Sequence, residues 1–410
     1  MATLKVIEPA TEQVLAEIPE AGAEEADQAV ARAKTAYPGW KSIAPKDRAN
    51  ALRRLAAAVE READMLATLE ARNVGKPIGD ARGEVAMVVE VFNYYAGAPE
   101  RLFGKTIPVA GGVDMTFREP LGVVALIVPW NFPLAIASWK VGPALAAGNT
   151  VVLKPAALTP LTAIELERIA LEAGLPEGVL NVVVGAGRTV GERLVQHPDV
   201  AKIGFTGSTE VGKRIGQLAA ASIKRITLEL GGKSANIVFA DADLEKAAAA
   251  APLAVFGNAG QDCCARSRIL VQRSAVDQFM RALEASVKAL RVGDPLDEKT
   301  EMGPLISADH REKVASYLED GARVAIRGSS PSGPGYWFPP TVLSPVANTD
   351  RAAREEIFGP VAAVIPFDDE ADAIRIANDT PYGLSGSIWT NNAGRAMRVA
   401  RALETGTISI

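Results

Sequence analysis

Between residues 121 and 230 short apolar runs alternate with stretches of helical periodicity, and this alternation narrows the fold more than any other feature of the chain. Residues 123–128, 150–154, 180–184 and 201–205 are rich in Val, Ile and Leu and too short for helices, so they read as strands. Residues 139–147, 162–173, 187–196 and a stretch from Thr209 carry apolar side chains at helical spacing. Strands that are apolar on both faces and joined by helices form a parallel sheet covered on both sides. A last apolar run, 226–230, leads into Gly231-Gly232, a candidate domain boundary. The second half repeats the style, with strands at 234–239 and 267–271 and helices at 244–255 and 275–290.

Ahead of this region, helices are expected over 24–37, 46–73 and 83–98. Residues 101–119 read as an extended ribbon turning at Gly111-Gly112. A chain of 410 residues exceeds one ordinary core, so roughly two to three domains are expected. Hydrophobic content of 48% with 23% charged residues suits a soluble globular protein. A net charge of −5 argues against a nucleic-acid partner. The apolar stretch 121–137 is interrupted by Pro129, Trp130, Asn131 and Pro133, which argues against a membrane span. No signal peptide is evident at the start of the sequence, so the expected location is cytoplasmic.

The two cysteines, Cys263 and Cys264, are neighbours, which suits a reducing compartment. They close the string Phe256-Gly257-Asn258-Ala259-Gly260-Gln261-Asp262-Cys263, where Gly257 and Gly260 would let the backbone approach a substrate. A reactive thiol needs help to ionise, and the bland alternative is an inert buried one. His197 and His310 both read as solvated, so no Cys-His pair and no metal centre are expected.

Other motifs carry chemistry. Pro129-Trp130-Asn131-Phe132-Pro133 follows a strand, where Asn131 either offers an amide to an oxyanion or caps its own turn. Gly207-Ser208 opens a helix, and free amides there attract phosphate. Glu229-Leu230-Gly231-Gly232-Lys233 ends an apolar strand; Glu229 is either a base with a raised pKa or a surface acid paired with Lys233. Glu355-Glu356-Ile357-Phe358-Gly359-Pro360 sets acids beside an aromatic ring. Lys154-Pro155 adds a cation after another strand, and Gly185-Ala186-Gly187-Arg188-Thr189-Val190-Gly191 is one residue too long for the dinucleotide fingerprint.

Together these motifs resemble the NAD(P)-dependent aldehyde dehydrogenase superfamily over nearly the whole chain. The resemblance implies two open α/β domains with parallel sheets: a Rossmann-like dinucleotide-binding domain (1–99 and 121–231) and a catalytic domain (232–410). A projecting β-ribbon (100–120) would serve oligomerisation. It implies Cys263 as nucleophile, forming a thiohemiacetal and then a thioester, with Asn131 on the oxyanion, Glu229 activating water and Lys140 in proton relay. Lys154, Trp130, Gly187, Gly191, Ser208, Glu356 and Phe358 would bind the cofactor. A retained Glu229 argues against the CoA-acylating branch.

Ala157 stands where many NAD-preferring relatives place an acid, so NAD is expected as the main cofactor with NADP use left open. The substrate is expected to be a small-molecule aldehyde, and Asp262 hints at an aminoaldehyde or a betaine-aldehyde-like cation. The sequence stops within a strand at Leu403-Glu404-Thr405-Gly406-Thr407-Ile408-Ser409-Ile410, where relatives continue. The expectation is a C-terminally truncated chain whose homodimer or homotetramer is impaired, the alternative function being a catalytically impaired NAD(P)-binding protein.

Overall fold

The chain is an α/β protein, described in the computed structural model for residues 2–319 and 321–410. Two compact units divide it. The first takes in the residues up to Ile7, Val14–Val74 and Gly79–Glu229; the second takes in Glu8–Gln13, Gly75–Ile78 and Leu230–Ile410.

The chain opens with strands β1 (Thr3–Glu8) and β2 (Gln13–Pro19), which pair with each other and which apolar periodicity does not announce. Helices α1 (Ala23–Ser42), α2 (Pro45–Arg61), α3 (Ala63–Val74) and α4 (Ile78–Ala96) follow. Helix α1 runs through Pro38 because Trp40, 2% exposed, anchors the last turn and donates its indole N–H to the Leu145 carbonyl. The helix expected over 46–73 is two helices. At Glu62 the backbone leaves helical geometry (φ −99°, ψ 12°) before α3 begins. The ribbon is β3 (Thr106–Val109) with β4 (Gly112–Met115), every residue exposed. Val109 pairs with Gly112, so the turn is Ala110-Gly111, with Gly111 at φ 79°.

The first unit is built on β5 (Val123–Ile127), β6 (Thr150–Lys154), β7 (Leu180–Val182), β8 (Val200–Thr206) and β9 (Arg225–Glu229). They form a parallel sheet in the order β7-β6-β5-β8-β9. Every residue of β5 and β6 is buried, as continuous apolar runs require. Helices α5 (Pro133–Ala146), α6 (Leu161–Glu172), α7 (Glu192–Gln196) and α8 (Thr209–Ala220) make the crossovers. Helix α5 begins six residues before the periodic stretch that signalled it. Leu134 to Ser138 are all buried, so that turn has no polar stripe to mark it as helix. The strand order reverses between β5 and β8, and ligands of open sheets lie at the carboxyl ends of strands beside such a reversal.

The second unit is built on β10 (Ala235–Val238), β11 (Arg268–Gln272), β12 (Val324–Arg327), β13 (Thr341–Leu343), β14 (Val361–Phe367), β15 (Ser385–Trp389) and β16 (Thr407–Ser409). Their order is β12-β13-β14-β11-β10-β15-β16, parallel except for the edge strand β12. Helices α9 (Leu244–Phe256) and α10 (Val276–Ala289) pack on it. Phe239 and Phe367 meet edge to face at 5.2 Å in this core, and burying each ring contributes about 2 kcal/mol.

Candidate active site

In the first unit the candidate residues gather at the carboxyl ends of the parallel strands. Trp130 and Asn131 follow β5; Asn131 is 3% exposed, and the Trp130 carbonyl accepts a hydrogen bond from the Thr159 hydroxyl at 3.0 Å. Lys154 ends β6, 5% exposed, donating from Nζ to the Pro155 carbonyl at 2.8 Å. Burial lowers its pKa to about 8. A methyl on Gly191 would sit 3.9 Å from Lys154 Cδ, and one on Gly187 would meet nothing within 4 Å, so both glycines leave room beside the lysine. The constrained glycine of that segment is Gly185, where a Cβ would lie 2.4 Å from the Ala21 carbonyl oxygen.

After β8, Gly207 cannot hold a side chain, because a Cβ would strike the Phe205 ring at 2.5 Å. Ser208 caps α8, its hydroxyl accepting the Val211 N–H at 3.4 Å, which leaves the first amides of the helix facing outward. Glu229 ends β9. That strand is an exposed edge and Glu229 itself is exposed, so the apolar setting expected for it is absent from this unit. Lys140, on α5, has its pKa lowered to about 8 by burial, with the Glu229 carboxylate acting in the opposite direction.

The same unit holds a cavity of about 610 Å³ where α4 faces α5. Tyr94, Tyr95 and Trp139 line it together with the carboxylate of Glu90. Sequence reading missed this wall, since Tyr94 and Trp139 are exposed on helices that periodicity marks only by their buried faces.

In the second unit three segments converge at the amino ends of adjacent strands: 230–234 before β10, 257–267 before β11 and 355–360 before β14. Arg268, 2% exposed, ties this edge together by donating to the carbonyls of Lys233, Ile376 and Ala377 at 2.8, 3.0 and 2.8 Å. Asn258, Ala259 and Gly260 are all left-handed, with φ 50°, 55° and 70°. Gly260 is the glycine the approach requires, since a Cβ there would lie 2.2 Å from the Gly359 carbonyl oxygen; Gly257, at φ −50°, carries no such demand. Buried Gln261 locks the loop, donating to Asn258 O at 3.0 Å and accepting the Ile306 N–H at 2.8 Å.

Cys263 and Cys264 are half-buried free thiols. The hydrogen bond to Cys264, burial, and the negative charge of Asp262 and Glu356 hold the Cys263 thiol above its ordinary range. The same bond lowers Cys264. Asp262 accepts the Cys264 N–H at 2.8 Å, a local turn role for the acid that hinted at a cationic substrate. Glu356 accepts the Gly232 N–H at 3.0 Å, and a Cβ on Gly231 would lie 2.3 Å from its other oxygen. Burial raises the Glu356 pKa, with the Lys233 ammonium opposing.

Phe358 is itself left-handed at φ 60°, pinned by His310, whose Nε2 lies 2.6 Å from the Phe358 carbonyl oxygen. The expectation of two solvated histidines is therefore wrong. His310 is half-buried under this bond, and His197 is 8% exposed, its Nδ1 accepting the Asp199 N–H at 3.1 Å. Charged neighbours in sequence conceal both packings.

The sequence matches the aldehyde dehydrogenase family along residues 1–410. It is 43% identical to an aldehyde dehydrogenase of Emericella nidulans, over all of this chain and 84% of that one. It is 42% identical to the betaine aldehyde dehydrogenase of Bacillus subtilis, over 99% of this chain and 85% of that one. The crystal structure of PnpE in complex with nicotinamide adenine dinucleotide superposes with a TM-score of 0.97 at 44% identity, over all of this chain and 86% of that one. A fold shared at that level, with sequence likeness over its whole length, settles the kinship: the chain belongs to the aldehyde dehydrogenase family.

Proposed function

We propose that the chain oxidises an aldehyde to a carboxylic acid with NAD, using Cys263 as nucleophile. The observation that carries this reading is the convergence of Cys263, Glu356 and Phe358 at the amino edge of β10, β11 and β14. The residues present fit a dinucleotide. Lys154 is a buried cation with glycine-lined space beside it, the start of α8 offers free amides, and Glu356 is a half-buried carboxylate able to accept ribose hydroxyls. Trp130, Ser208, Gly187 and Gly191 complete the assigned contacts, and Phe358 would flank the nicotinamide. The chemistry that bound NAD supplies is hydride acceptance.

The Cys263 thiol gives its proton to solvent and its sulfur adds to the aldehyde carbon, giving a thiohemiacetal; its hydride, which NAD would accept when bound, departs to leave a thioester. Asn131, with the Cys263 N–H, is assigned to the oxyanion. Glu229 takes a proton from the water that hydrolyses the thioester, and the thiol is released with the acid. Lys140, poised near neutrality by burial, passes protons onward.

Residues 1–99 and 121–231 form the dinucleotide-binding domain on this reading, 232–410 the catalytic domain and 100–120 the oligomerisation ribbon. The ribbon exposes Ile107, Val109, Val113, Met115 and Phe117, which suits pairing with a second copy in a homodimer or homotetramer. Among the described residues no helix is long and apolar enough to cross a membrane, and a free thiol nucleophile suits the reducing cytoplasm. Family likeness along the whole chain favours this reading over a catalytically impaired NAD(P)-binding protein.

The aromatic cavity with Glu90 suits an aldehyde bearing a cationic tail, because ring faces and a carboxylate both attract an ammonium group. One assay tests these points: NADH formation with propanal and with 3-aminopropanal, repeated with NADP. Turnover with NAD that vanishes in Cys263→Ala supports the enzyme. Cofactor binding without turnover overturns it, and equal kcat/KM for the two aldehydes ends the cationic preference.

A further inference from the structure

We infer that Asp262, Cys263 and Cys264 form a site for a thiophilic divalent cation of the zinc class. One oxygen of Asp262 and the two sulfurs all lie within 4.8 Å of one another, and all three residues are half-buried. A tetrahedral zinc with bonds of about 2.3 Å to sulfur sets its ligands about 3.7 Å apart, so these donors would have to close by at most about 1 Å. Two thiolates and one carboxylate select a soft or borderline metal over magnesium or calcium. A fourth position stays open to water.

The backbone that presents these donors is fixed on several sides. The Asp262 carboxylate accepts the Cys264 N–H at 2.8 Å, and the Ser385 hydroxyl donates to the Cys264 carbonyl at 3.3 Å. Gly232 packs so closely on the Cys263 carbonyl that a Cβ would lie 2.2 Å from its oxygen. The donors therefore belong to one preorganised turn, which lowers the cost of gathering them. Binding releases one proton from each thiol to solvent and forms two metal–sulfur bonds and one metal–oxygen bond, with no change of oxidation state. The cation occupies the Cys263 sulfur, so it inhibits aldehyde oxidation reversibly. This consequence rests on Cys263 being the nucleophile; the binding itself does not.

The test titrates the reduced full chain with Co²⁺, reading thiolate-to-cobalt charge-transfer absorption in the near ultraviolet. The expected result is one Co²⁺ per chain, displaced by Zn²⁺. In Cys264→Ser the absorption falls and Zn²⁺ inhibition weakens at least about tenfold. If that variant does not fold, Cys263→Ala takes its place and loses the absorption. No charge-transfer absorption, or undiminished absorption after either change, overturns the site. Cobalt binding through both thiols without any aldehyde turnover would instead overturn the enzymatic reading and leave the site standing.

Discussion

Lys154 shows how burial turns a common residue into a titrating one. Its pKa is lowered to about 8, because the low-dielectric end of β6 disfavours the ammonium. The folded chain therefore holds this proton less tightly than the unfolded chain, and stability rises with pH from about 8 toward the ordinary lysine range. If Lys154 holds the cofactor as proposed, cofactor binding is expected to move in the opposite sense, since the charged donor disappears across the same window. The KM for NAD is expected to climb as pH passes about 8; Lys154→Arg flattens that rise, and Lys154→Met raises KM roughly tenfold or more below about pH 8, the difference narrowing above it. Initial rates across the pH range check both. His310→Ala removes the contact on the Phe358 carbonyl and is expected to destabilise by about 1–2 kcal/mol in urea unfolding. It should also raise the KM for NAD, through loss of the left-handed backbone at Phe358. The motif around Phe358 was legible in sequence and its support was not, because His310 lies 48 residues away in a run of charges.

At the scale of elements, the short buried strands were legible because continuous apolar runs leave few other folds. The start of α5 was not, since a turn buried on every side shows no period. The placement of Cys263 was also hidden. Ligand sites of open sheets are expected at carboxyl ends, where Trp130, Asn131 and Ser208 stand, whereas Cys263, Glu356 and Phe358 stand at amino ends. Only the strand order, with β11 between β10 and β14, makes the three segments neighbours. Arg268 is the tie across that edge. Arg268→Met would leave the carbonyls of Lys233, Ile376 and Ala377 without their donor and is expected to cost about 3 kcal/mol, seen as a lower urea midpoint.

For the whole molecule, two sheets with separate cores follow from chain length and from the glycine pair after β9, and the division falls between Glu229 and Leu230. What the linear pattern does not reveal is that residues 8–13 and 75–78 join the second unit, since short excursions carry no periodicity of their own. The exposed apolar ribbon gives the prediction at this scale. Light scattering is expected to show a dimer or tetramer, and Ile107→Lys with Met115→Lys should shift it toward monomer without loss of folded signal. A monomeric wild-type chain would contradict the role proposed for the ribbon.

The left-handed turn carries Cys263 away from the C-terminal end of α9 and sets it beside two carboxylates, surroundings that keep its sulfur protonated. Peroxide attacks thiolates far faster than thiols. The Cys263 sulfur is thus held in the form that peroxide consumes slowly, and the neighbouring Cys264, whose thiol pKa the hydrogen bond between them lowers, is the one oxidation reaches first.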